Sequence, residues 1–133
     1  LKNEDAIVYT HAKPTLSDFI SQRKRWASKS TRYKDKSVII LGVSIWLFNV
    51  SIILNGILAI IFPASDTVHF LVFQLIFKLG MEATFLSSIT SFFKRKKLLI
   101  LVPVISILHI IYIVYIGIAG NSGKYNWKGR VVK

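Results

Sequence analysis

Gln22, Arg25, Trp26 and Lys29 fall at i, i+3, i+4 and i+7, the spacing that puts side chains on one face of a helix. An amide, a planar guanidinium, an indole and an ammonium on one face can do chemistry together. The guanidinium offers paired N–H donors to phosphate oxygens, the ammonium adds charge, and the indole is a flat surface against which a pyranose ring can pack. That set suits a sugar joined to a diphosphate. It equally suits a plainer role, in which the cations meet anionic lipid headgroups at about 1 kcal/mol each and the tryptophan sits at the membrane–water boundary. Both readings stand on these residues alone.

A second set of reactive side chains lies in apolar surroundings. Lys78 and Glu82 are spaced i, i+4 and can pair within one helix. An unpaired lysine at the centre of a bilayer costs roughly 2.5–3.5 kcal/mol on insertion scales, so a structural ion pair is expected, with a polar lining for a nascent glycan or lipid acceptor as the alternative. His109 is expected to hydrogen-bond to another segment or to Glu82; no ladder of acids accompanies it to make a proton relay. Near the C-terminal end, Trp127, Lys128 and Arg130 form either an interfacial anchor or further phosphate contacts. With no cysteine in 133 residues, disulfides and thiolate metal sites are excluded.

The elements that must position these residues follow from the distribution of charge. The chain is 53% hydrophobic, has a net charge of +12 and a mean hydropathy of +0.52, which together point to a membrane protein. Nucleic-acid binding is disfavoured because the charge sits between apolar blocks rather than across a soluble surface. Seven of the basic residues lie in 23–36, four in 94–97 and four in 124–133. Residues 38–62 carry no charge and reach roughly 37 Å as a helix, enough to cross a core of about 30 Å. Spans are expected at 38–62, 68–93 and 98–119.

Before them, Thr15 and Asp18 resemble a capping box that starts a surface helix at Leu16, ending near Lys34. The reading by domains is therefore 1–13 as the end of an upstream domain, 14–36 as a basic interfacial helix, 38–119 as the transmembrane region and 120–133 as a basic tail. A short strand is expected at 6–9. Because the first residue is Leu1 and no targeting segment precedes the first polar stretch, the chain reads as part of a longer protein. Basic stretches favour the cytoplasmic side, which puts 23–36 and 94–97 inside and 63–67 outside. The tail conflicts with this rule: three crossings place it outside despite its four basic residues. A re-entrant piece at 68–77 would remove the conflict.

Gln22-Arg23-Lys24-Arg25-Trp26 matches Q-x-x-R-W. In that setting the chain resembles the C-terminal part of membrane-bound family 2 glycosyltransferases, the cellulose, hyaluronan and poly-N-acetylglucosamine synthases among them. There the motif closes the catalytic domain just before C-terminal transmembrane helices. Lys13-Pro14-Thr15-Leu16 and the ending Trp127-Lys128-Gly129-Arg130 are similar to the corresponding stretches of bacterial members. The resemblance implies an all-α integral membrane region, with an amphipathic interfacial helix, about three transmembrane helices and a strand remnant of an upstream α/β domain. It also implies an inner-membrane location with the basic helix at the cytoplasmic face, and a part in glycan synthesis at the cell envelope. Gln22 and Arg25 would contact the nucleotide diphosphate and Trp26 the acceptor sugar, in transfer from a nucleotide-sugar to a glycan or lipid acceptor. Family members hold a divalent cation, Mg or Mn, on an Asp-x-Asp and use an aspartate as general base. This sequence has no Asp-x-Asp, and its acidic pair Glu4-Asp5 is poorly placed to serve, so metal and base are expected outside it and the chain alone is expected to be inactive. The alternative is a small multi-pass membrane protein whose basic helix binds lipid or a partner.

Overall fold

The structure is a computed structural model that describes residues 7–8, 10–30, 33–121, 125–127 and 130–132. It contains four α-helices: α1 at Leu16–Ser30, α2 at Lys36–Ile61, α3 at Ser65–Phe92 and α4 at Val102–Asn121. A 3₁₀ segment at Lys96–Leu101 leads into α4, and two three-residue strands, β1 at Tyr125–Trp127 and β2 at Arg130–Val132, pair antiparallel with Tyr125 opposite Val132.

Two compact units divide the chain: residues 1–34 with 116–133, and residues 35–115. In the first, Thr15 begins α1 by accepting a hydrogen bond at Oγ1 from the Asp18 backbone N–H (3.1 Å), while its hydroxyl donates to the Asp18 carboxylate (2.7 Å). The helix ends at Ser30, four residues short of the expected Lys34; Tyr33 and Lys34 are non-helical because the next residue, Asp35, begins a new helix. Gly120 is buried against Ala27, and a Cβ there would lie 2.5 Å from the Ala27 Cβ, so the two backbones approach only because residue 120 has no side chain. The strand expected at 6–9 is not found: Ile7 and Val8 have no regular secondary structure, and Ala6 and Tyr9 lie outside the described residues, as do Glu4 and Asp5.

The second unit holds α2, α3 and α4 as far as Tyr115. Asp35 caps α2 by accepting from the Ser37 N–H at 2.8 Å. Pro63 interrupts the chain after Phe62, and α3 starts two residues later. From there α3 is one unbroken helix of 28 residues, so 68–77 is not a separate re-entrant piece. It closes with paired bonds from the Arg95 N–H to the Thr90 carbonyl (2.7 Å) and from the Lys94 N–H to the Ser91 carbonyl (3.1 Å). This is the Schellman arrangement, and it puts Lys94 at φ 56°, where glycine is usual. Pro103 falls in the first turn of α4, where a missing N–H removes no helical bond.

Among the described residues, three helices are long and apolar enough to cross a membrane: Lys36–Ile61, Asp66–Phe92 and Lys96–Gly120. Their burial pattern differs from a soluble domain's: Asn49, Gln74, Lys78 and Ser106 are buried beside Ile52, Val102, Ile110 and Ile116, while many large apolar side chains are exposed. Ile60, Ile76, Phe85 and Ile100 are 83%, 66%, 69% and 83% exposed. Large apolar side chains facing outwards over three helices, with four polar side chains buried, suit a hydrocarbon solvent better than water. The chain is a membrane protein associated with the lipid bilayer.

Candidate functional site

α1 carries the motif residues. Leu16 to Ser30 is helical throughout, so Gln22, Arg25, Trp26 and Lys29 share a face as their spacing requires. Gln22 and Arg25 are half-buried, Lys29 is exposed and Trp26 is 51% exposed. Asp18 is the acidic residue of the first turn and Lys29 the basic one of the last, which complements the helix dipole.

Arg23 departs from the simple reading of the motif, in which its place on the face opposite Arg25 makes it a neutral spacer. Its guanidinium lies over the rings of Phe19 and Trp26, with the central carbon 4.9 Å and 4.7 Å from their centroids. The positions i−4 and i+3 flank residue 23 on the helix surface, so the three side chains stack in a row. One ring of the motif is thus already in contact with a residue that the pattern treats as a wildcard.

Of the other motif candidates, Trp127 and Arg130 stand opposite each other across the β1–β2 pair, and their side chains are outside the description. Lys128 lies outside the described residues.

A second polar centre lies between α3 and α4. Glu82 receives three side chains: Lys78 from the preceding turn of α3, and Ser106 and His109 from α4. The His109 Nδ1 lies 2.7 Å from Oε1, the oxygen that also takes the Lys78 ammonium, while the Ser106 hydroxyl donates to Oε2. Tyr112 stacks on the imidazole at 5.8 Å between centroids. Lys78 is about 20 Å from either end of α3, so the ion pair sits at the depth where an unpaired charge is most costly. Ser106 is a partner that sequence reasoning did not single out; its place three residues before His109, on the same helical face, was the available signal.

A ladder of amides and hydroxyls joins α2 to α3. Asn55 donates to the Gln74 carbonyl oxygen at 2.8 Å, the Gln74 amide donates to the Ser51 hydroxyl at 3.0 Å, and Ser51 donates to its own helix at the Phe48 carbonyl. Asn49 turns to its own helix instead, donating to the Ile45 carbonyl, and its Oδ1 is buried without a partner among the described residues. The Trp46 indole donates to the Val114 carbonyl at 3.3 Å, tying α2 to α4.

These two centres differ in what they can do. Apart from the Asn49 Oδ1, the polar groups named in the long helices meet one another or their own helix backbone, which is the behaviour of structural glue. α1 instead presents a guanidinium fork, an amide and an aromatic face, the groups that hold an anion and a sugar. Comparison with family models, with curated proteins and with solved structures finds no match.

Proposed function

We propose that this chain is the C-terminal membrane portion of an inverting, membrane-bound family 2 glycosyltransferase. In the reaction, an acceptor hydroxyl oxygen attacks the anomeric carbon of a nucleotide-diphosphate sugar, the bond from that carbon to the diphosphate oxygen breaks, and the hydroxyl proton passes to a base. The base and the divalent cation that steadies the diphosphate belong to a catalytic domain outside this chain. The contribution of this chain is α1, at the cytoplasmic face of the cell membrane, with Gln22 and Arg25 toward the diphosphate and Trp26 toward the acceptor sugar.

The observation that supports the reading is the regular helix at Leu16–Ser30, which holds Gln22, Arg25 and Trp26 on one face, five residues before the first membrane-length helix. As the sugar leaves, negative charge grows on the diphosphate, and a paired donor fixed on a helix stabilises that charge more in the transition state than before it. Arginine suits this task better than lysine, which carries the charge without the fork.

The test uses the complete transferase in membranes. Arg25→Lys keeps the charge and should lower sugar transfer by about tenfold or more, on the order of 1.4 kcal/mol. Trp26→Ala should do the same, with the protein inserted at normal levels. Lys24→Gln removes a charge from the same helix and should leave transfer nearly unchanged. A helix that binds lipid or a partner by charge alone would respond in the opposite order, more to Lys24→Gln than to Arg25→Lys; that result would replace this reading with the small multi-pass membrane protein.

A further inference from the structure

The row Phe19, Arg23, Trp26 is built from three residues of one helix, and its geometry restrains an arginine. With its central carbon 4.9 Å and 4.7 Å from the two ring centroids, the guanidinium is confined between them. Its Nε is buried and has no hydrogen-bond partner. No carboxylate or carbonyl among the described residues takes up the remaining N–H groups of Arg23. A guanidinium confined by aromatic rings keeps its terminal N–H donors, which lie in its own plane and form the fork that matches two oxygens of a phosphate. Ring contact also lowers the entropy lost when an anion binds, because the side chain is ordered before the ligand arrives. The surroundings are cationic: Lys24, Arg25 and Lys29 lie on the same helix, whose acidic residue, Asp18, is engaged by Thr15.

We infer that Arg23, held by Phe19 and Trp26, is a phosphate-binding group of α1 in its own right, distinct from the Gln22 and Arg25 pair. Its ligand is a phosphoryl group, carried either by a soluble diphosphate or by the headgroup of an anionic lipid. The inference goes beyond the transferase reading and does not need it, since a phosphate site on this helix serves a lipid surface as well as a sugar donor.

The whole 133-residue chain is used in the test, with Trp46 and Trp127 replaced by phenylalanine so that emission reports Trp26. Two probes are titrated: inorganic pyrophosphate with the protein in neutral detergent, and phosphatidylglycerol introduced into phosphatidylcholine nanodiscs. At least one probe should change Trp26 emission in a saturable way. Arg23→Lys, which keeps the charge, and Phe19→Leu, which removes one ring, should each weaken that response by about tenfold. A response to pyrophosphate identifies the soluble diphosphate as the source, and a response to phosphatidylglycerol alone identifies the headgroup. Circular dichroism in the same detergent checks that each variant keeps its helix; Arg23→Gln and Phe19→Met serve where one does not. If neither probe moves Trp26, or if both Arg23 and Phe19 variants respond as the parent does, the site does not exist and the stack is only a local stabiliser of the helix. Either result leaves the Arg25 test of sugar transfer untouched.

Discussion

Glu82 accepts from three side chains on two helices, and the sum of these contacts decides whether α3 tolerates a charge at its centre. Removing Lys78 leaves a half-buried carboxylate without its cation; removing Glu82 leaves a buried ammonium and frees Ser106 and His109 as well. Each single change, Lys78→Met or Glu82→Gln, is expected to lower stability by about 1–2 kcal/mol, the upper end for polar contacts within membranes. The double variant should lose less than the two losses added together, because neither charge is then stranded. Thermal denaturation in mild detergent measures all four proteins, and strictly additive losses would mean that the two groups do not interact. The pair was legible in the sequence because i, i+4 spacing specifies contact on any helix. The role of Arg23 was not: helical spacing places it near Phe19 and Trp26 as surely as it separates it from Arg25, and only a side-chain conformation shows which relation matters.

At the scale of elements, the start of α1 and the lengths of the long helices were legible for separate reasons. Thr15 three residues before Asp18 specifies a first turn, and an uncharged run of 25 residues has no stable alternative in lipid to a helix. The strand at 6–9 failed as an expectation at Ile7 and Val8, because four apolar residues specify a strand only when a neighbouring strand pairs with them. Cross-helix contacts were legible only in part: His109 was expected to reach another segment or Glu82 and meets Glu82, whereas the Gln74 that Asn55 and Ser51 share depends on how α2 and α3 rotate against each other. Gln74→Leu should therefore strand both and cost roughly 0.6–1.7 kcal/mol, a larger loss than Ser44→Ala on the exposed side of α2. The turn after α3 yields a stabilising change. Lys94 holds a left-handed backbone that disfavours any residue with a Cβ, so Lys94→Gly should raise stability by about 1 kcal/mol, read as a higher midpoint of thermal unfolding. A lower midpoint would show that the charge at this helix end contributes more than the backbone strain.

Three membrane-length helices make the bilayer the solvent of this chain, and the positive-inside rule predicts the direction in which they cross it. α3 is continuous over 28 residues, so the segment from Ala64 to Lys94 is long enough to carry the chain from one side of the bilayer to the other. In the proposed topology Ala64 lies outside the cell and the basic stretches 23–36 and 94–97 within it. Because the chain has no cysteine, single cysteines can be introduced without background. Labelling of intact cells with a membrane-impermeant maleimide is the most direct test. Ala64→Cys should be labelled at once, while Tyr33→Cys and Lys97→Cys should be labelled only after the membrane is permeabilised. Labelling of Lys97→Cys in intact cells, or protection of Ala64→Cys, would contradict the crossing of α3 and with it the placement of α1 at the cytoplasmic face.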